Sequence, residues 1–166
     1  LFEEFLVMRN FVVRDAIVPA LSATDREGAI RELVASMHRA GYFQPTDLDK
    51  IVAEVLRRET LGSTGIGRNI AIPHSRFAGV DRLIGTVGLS KPGIEYQSID
   101  GEPVHIFVLL VSPPDRPADH LRALESVVRI TRDDAFVQAM RQATTREEIW
   151  RLINEMHPNW DRPGPA

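Results

Sequence analysis

The chain has 166 residues, enough for one compact domain whose core can fold unaided. Its 43% hydrophobic and 26% charged content excludes disordered and collagen-like classes, and a net charge of -3, with basic and acidic residues interspersed, lacks the footprint of a nucleic-acid binder. With no cysteine, disulfides, cysteine–zinc sites and thiol catalysis are excluded, while the redox compartment stays open.

Glu3, Glu4 and Arg9 interrupt the stretch from Leu1 to Val13, so it does not read as a signal peptide, and no apolar run approaches membrane length. The expectation is a cytoplasmic protein with no membrane insertion and no nucleic-acid partner. Residues 1–16 are set apart as an N-terminal extension or first element, 17–157 as the functional domain, and 158–166 as a flexible tail.

The first helix signal is a capping box at Thr24 to Glu27, followed by Ile30, Leu33, Val34 and Met37 on one helical face and closed by Gly41. A second helix starts near Thr46, capped by Thr46 to Asp49, and runs through Leu48, Ile51, Val52, Val55 and Leu56 to about Glu59. The segment Gly62 to Gly67 reads as a loop. Ile70-Ala71-Ile72 predicts a short strand that stops at His74, because Pro73 biases Ile72 toward extended geometry. Two longer strands follow at Leu83–Ser90 and Val104–Val111, the latter apolar enough to be covered on both faces. Lys91-Pro92-Gly93 and Asp100-Gly101 are turn signals between them. Helices are expected from Asp119 to about Thr131, from Asp133 to Arg141 and from Thr145 to Met156. Together these elements predict a single α/β domain, a small mixed sheet flanked by helices.

The glycines of Gly62 to Gly67 have neither the dinucleotide-binding nor the P-loop spacing, so ATP and NAD readings fail there. A loop of Gly, Ser and Thr can still bring backbone N–H groups and hydroxyls close to an anion, which makes Ser63, Thr64 and Gly65 candidate phosphate-binding residues; the alternative is a plain turn. His74 is the candidate nucleophile. It sits where the strand pattern ends, and a neutral imidazole has a lone pair for in-line attack on phosphorus. Taken alone, it reads better as a surface histidine in a turn.

The helical wheel places Arg58 on the flank of its helix's apolar stripe and Arg57 opposite, so Arg58 is the better placed to aim a planar guanidinium at a phosphate. Its alternative role is a cation near the helix end. His120, in the first turn of a helix that Asp119 is expected to cap, falls between Leu124 and Val127 on the wheel and faces inward. It can orient a phosphoryl group or serve as a core histidine. His38, His105 and His157 read as structural. No metal-ligand spacing and no G-x-S-x-G elbow occurs.

The run from Arg58 to His74, with Gly62, Gly65 and Gly67 ahead of Ile70-Ala71-Ile72-Pro73-His74, resembles the active-site region of the fructose/mannitol-type (type 2) IIA domains of the bacterial phosphoenolpyruvate-dependent phosphotransferase system. Its strongest likeness is to the nitrogen-regulatory branch. The resemblance extends from about Ile17 to Asn154 and includes Val104 to Leu110 and Asp119-His120-Leu121.

The resemblance implies a mixed sheet with helices on both sides and a His74 phosphorylated by an upstream histidine phosphocarrier protein, with Arg58 and His120 as helpers. It implies no ATP, metal or organic cofactor. Downstream, it implies either a IIB domain that takes the phosphoryl group on a cysteine, as in sugar transport, or regulatory protein targets, as in the nitrogen branch. A regulatory phosphocarrier is the expectation, a soluble sugar-transport IIA the first alternative, and a binding module without phosphotransfer the second. Ser75-Arg76 stands where many members have a small residue after the histidine.

Overall fold

The computed structural model describes residues 7–155, so the expected tail and His157 lie outside the described residues. In chain order the elements are α1 (Met8–Phe11), α2 (Arg26–Arg39), α3 (Leu48–Thr60), β1 (Gly65–Gly67), β2 (Ile70–Ala71), β3 (His74–Arg76), β4 (Ile84–Ile94), β5 (Val104–Ser112), α4 (Pro117–Ile130), α5 (Asp134–Gln142) and α6 (Arg146–Glu155). Single 3-10 turns occupy Arg14–Ala16 and Pro45–Asp47.

The apolar run Val104–Ser112 becomes the central strand of a mixed five-stranded sheet, buried at every position but His105. β4 pairs with it antiparallel on one side. On the other side β2 and then β3 pair with it in parallel and act as one strand interrupted at Ile72 and Pro73. Pro73 has no N–H to give the ladder, yet its carbonyl accepts from Leu110 N at 3.0 Å, so pairing resumes at His74. The expected strand end at His74 is therefore corrected: the histidine opens a second short strand. β1 pairs antiparallel with β2 and stops there, so β3 has no strand on its outer edge among the described residues.

Strand alternation divides the core in two. Ile106, Val108 and Leu110 pack with Phe11, Val127, Val137 and Ile149 from α1, α4, α5 and α6. Phe107, Leu109 and Val111 pack with Leu33, Val34, Ile51 and Val55 from α2 and α3. Each fully buried side chain of this kind contributes ~1.5–3 kcal/mol, so both layers hold the sheet that positions His74. A Cβ at Gly88 would meet Leu33 Cδ2 at 2.6 Å, which makes glycine the residue that lets α2 lie close on β4.

Several boundaries differ from expectation for identifiable reasons. Asp25, not Thr24, caps α2, its carboxylate accepting from Gly28 N at 2.7 Å. Ahead of α3, Pro45 opens a 3-10 turn in which Asp47 Oδ2 accepts from Gln44 N at 3.0 Å, so Thr46 is not the cap. Pro92 and Gly93 do not end β4: the strand continues to Ile94 through a bulge, where Gly93 takes a φ of +83°. Lys91 beside the bulge donates to the carbonyls of Arg141 and Ala143 at the end of α5. Finally, α4 begins at Pro117, whose missing N–H is harmless at the first helical position, and Asp119 lies within its first turn instead of capping it.

Candidate functional site

β3 carries His74 along an uncovered sheet edge between the C-terminal end of α3 and the N-terminal end of α4. The ring is held by its own strand: Nδ1 donates to the Ile72 carbonyl at 2.7 Å. That bond selects the tautomer with the proton on Nδ1 and leaves the Nε2 lone pair available. Burial lowers the His74 pKa below its ordinary value; the Ile72 carbonyl partly opposes this, and Arg58 and Arg76 lower it further.

His120 comes from the buried face of α4 shared with Ala123, Val127 and Ile130. Its ring meets that of His74 edge-on, with centroids 5.2 Å apart and planes at 63°. Its Nδ1 lies 2.5 Å from the Ser112 hydroxyl at the end of β5. Burial first, then the neighbouring His74 and the charge of Arg76, push the His120 pKa down to about 4. Both imidazoles are therefore neutral near pH 7, the state in which one nitrogen of each ring carries a lone pair.

Arg58 joins them from α3. It lines the same cleft as His74 and His120, and its Nη1 donates to the Gly62 carbonyl at 2.9 Å, which anchors the guanidinium over the end of its helix while leaving most of its donors unused. The cleft wall also includes Glu54, Arg57, Arg76, Pro117, Leu121 and Leu124. Arg57, which the wheel set opposite the apolar stripe, also reaches the cleft wall, where it pairs with Glu54 at 3.0 Å.

The glycine-rich segment is arranged differently. Ser63 Oγ donates to the Tyr96 carbonyl at 2.9 Å and accepts from Gly65 N at 3.0 Å. Thr64 N donates to Glu59 Oε2 at 3.0 Å, and the Thr64 hydroxyl donates to Glu59 Oε1. Tyr96 OH reaches the same carboxylate at 2.8 Å. Three donors thus converge on a buried glutamate, and the Ser63 and Thr64 hydroxyls and the Thr64 and Gly65 N–H groups are all taken up within the protein. The structure brings His74, His120 and Arg58 together and places the loop residues outside the cleft wall.

Ser112 and the Glu59–Tyr96 pair were not singled out from sequence, and Arg76 was noted there only as part of the Ser75-Arg76 departure, not as a cleft residue. Ser112 is a polar residue closing an apolar strand, and Arg76 follows His74 by the two-residue strand period; each is a weak signal without the pairing register. The remaining histidines keep local partners: His38 Nδ1 with the Phe43 carbonyl and His105 Nδ1 with the Ser90 carbonyl. Among the described residues no group of three His, Asp or Glu side chains is placed to hold a metal ion. No helix among them is long and apolar enough to cross a membrane.

The chain is thus an α/β domain, a mixed sheet with helices on both faces and a paired-histidine cleft at one strand edge. The chain belongs to the family described as "Phosphoenolpyruvate-dependent sugar phosphotransferase system, EIIA 2", whose model matches residues 10–156. It is 30% identical over 144 residues to a nitrogen regulatory protein of Bradyrhizobium diazoefficiens, a match covering 87% of this chain and 92% of that one. It is also 30% identical over 135 residues to a fructose-specific EIIABC component of the phosphotransferase system in Bacillus subtilis, of which it spans 21%. The fold matches that of the nitrogen regulatory protein IIA-Ntr from Neisseria meningitidis with a TM-score of 0.77 at 23% identity, covering 87% of this chain and 97% of that one.

Proposed function

We propose that the protein is a histidine phosphocarrier that accepts a phosphoryl group on His74 Nε2 from an upstream phosphohistidine carrier and acts as a regulatory IIA. The observation that carries this reading is the 2.7 Å bond from His74 Nδ1 to the Ile72 carbonyl, because it keeps the proton on one nitrogen and the lone pair on the other. In the transfer the bond from phosphorus to the carrier's imidazole breaks as the bond to Nε2 forms. The carrier ring, protonated on its other nitrogen, leaves as a neutral imidazole, and the positive charge moves to the His74 ring, whose Nδ1–H stays on the Ile72 carbonyl. No other proton need move.

The helpers act on the phosphoryl oxygens. Arg58 supplies unused guanidinium donors, and His120 supplies Nε2–H when the Ser112 hydroxyl donates to its Nδ1. A low His120 pKa suits this, since the donor remains a neutral ring and does not lose its proton to the leaving group. Likeness across 92% of a nitrogen regulatory protein supports the regulatory reading, whereas likeness to one part of a fructose component supports the sugar-transport alternative, in which a IIB cysteine receives the group.

Incubation with phosphoenolpyruvate, enzyme I and the carrier should label the wild-type protein at an acid-labile, base-stable site, and His74→Ala should remove the label. A wild type that stays unlabelled with a carrier from its own source overturns the phosphocarrier reading in favour of a binding module. Rapid discharge of the labelled protein to a fructose-type IIB overturns the regulatory one.

A further inference from the structure

The proton on His74 Nδ1 rests on the Ile72 carbonyl, and Ile72 belongs to neither of the two short ladders: β2 pairs with β5 as far as Ala71, and β3 resumes the pairing at His74. In that gap the Ile72 N–H donates to the Thr64 carbonyl at 3.0 Å. The acceptor that sets the tautomer is therefore held from the glycine-rich loop.

Thr64 precedes β1 and is itself tied to Glu59, the penultimate residue of α3. Its N–H donates to Glu59 Oε2 at 3.0 Å and its hydroxyl to Oε1, where the Tyr96 hydroxyl also donates at 2.8 Å. Glu59 is 4% exposed and lies outside the cleft wall. Burial of a carboxylate is unfavourable even when its oxygens are met, and an apolar side chain of like volume fills such a place more favourably, so packing alone gives no reason for the charge. One hydrogen bond after another leads from Glu59 through Thr64 and Ile72 to His74. Burial lowers the His74 pKa, and the Ile72 carbonyl and the charge of Glu59 both work against that fall, which favours the cationic ring formed on transfer.

Resting on the reading of His74 as the phosphoryl acceptor, we propose that Glu59 is a positioning residue for that reaction: its carboxylate fixes Thr64, Thr64 fixes Ile72, and the Ile72 carbonyl keeps the proton on Nδ1. Glu59 exchanges no proton in the step and does not meet the phosphoryl group. Its loss lets the Ile72 carbonyl drift from the ring. The imidazole then takes up the other tautomer in part, with the proton on Nε2 and no lone pair there for attack, and the remaining rings are less well aimed.

The test reads two quantities on the full chain and its variants: the His74 tautomer of the unphosphorylated neutral ring, by nitrogen NMR, and the rate of labelling by phosphoenolpyruvate, enzyme I and carrier. Wild type should show a single tautomer protonated on Nδ1. Glu59→Gln, nearly the same in volume, should show mixed tautomers and label about tenfold more slowly. Thr64→Val removes the hydroxyl while its N–H can stay on Oε2, and should fall between the two. Arg58→Ala, which breaks no bond of this series, should label slowly with the single tautomer kept. The proposal is overturned if Glu59→Gln keeps the single tautomer, whatever its rate: a lower thermal midpoint alone is the mark of a structural glutamate. Mixed tautomers with a wild-type rate overturn it too, as does a wild-type ring protonated on Nε2. Should Glu59→Gln fail to fold, Thr64→Val decides by the same readings, and a slower rate with the tautomer kept there points to a phosphate contact at Thr64 instead. The tautomer is read without phosphorylation, so a wild type that fails to label overturns the reading of His74 while the NMR still decides whether Glu59 holds the ring.

Discussion

Ser112 Oγ at the end of β5 meets His120 Nδ1 in the first turn of α4, 2.5 Å away and fully buried from solvent on the serine side. The contact ties the second histidine to the central strand, so the geometry of the imidazole pair depends on a residue that does not itself line the cleft. Removal of the hydroxyl frees the His120 tautomer. Ser112→Ala should slow phosphoryl transfer about tenfold, the equivalent of one modest hydrogen bond at the transition state. Nitrogen NMR of His120 should show mixed tautomers in the variant, and a single tautomer there would contradict the assignment.

Arg58→Ala and His120→Ala should each slow labelling about a hundredfold, as the loss of one preorganised electrostatic partner does elsewhere. Thermal melts separate this from a structural effect: Arg58 is half-buried and its removal should leave the midpoint nearly unchanged. A midpoint that falls in step with the rate would assign Arg58 a structural role instead.

The two histidines also set a pH dependence. His120 is lowered from 6.5 to about 4 and His74 is lowered as well, so the unfolded chain binds protons that the folded chain refuses. Their contribution to stability is fully present above pH 6.5 and is lost as pH falls toward 4. Denaturant melts across that window should show wild-type stability declining more steeply than that of His120→Asn. Parallel slopes would mean that the His120 ring titrates as it does in the unfolded chain.

Tyr96→Phe tests the network beneath the glycine-rich loop. The variant removes a donor from the buried Glu59 carboxylate and should destabilise by about 1.5–3 kcal/mol, the range for hydrogen bonds to charged groups, as read from urea unfolding. Labelling of the folded variant should fall less than in Arg58→Ala. A larger fall would return the Ser63–Gly65 segment to the phosphate.

Thr86 presents the opposite case. It is fully buried on β4, and its hydroxyl has no hydrogen-bond partner among the described residues. Thr86→Val, nearly the same shape, should stabilise by about 1 kcal/mol or more, and a loss of stability would reveal a partner for the hydroxyl.

What the sequence determined on its own follows from local physics. Periodicity located the helices that became α2 to α6 and turned Arg58 and His120 inward, because a helical wheel depends only on neighbours within a few residues. The run at Val104–Val111, apolar at every position but His105, announced a strand covered on both faces for the same reason. Resemblance around His74 supplied the family and, through it, the reaction. What tertiary structure decided were the pairings that no local rule contains. Pro73 reads as a strand end until the Leu110 N–H is found waiting for its carbonyl. Ser63 and Thr64 read as anion ligands until Glu59 and Tyr96, the latter 32 residues beyond Thr64, take up both hydroxyls and the Thr64 N–H. The same holds for Ser112 beside His120 and for Arg76 beside both rings: their meaning lies in the register of β3 against β5, which is set by packing of the whole sheet between its two helical layers.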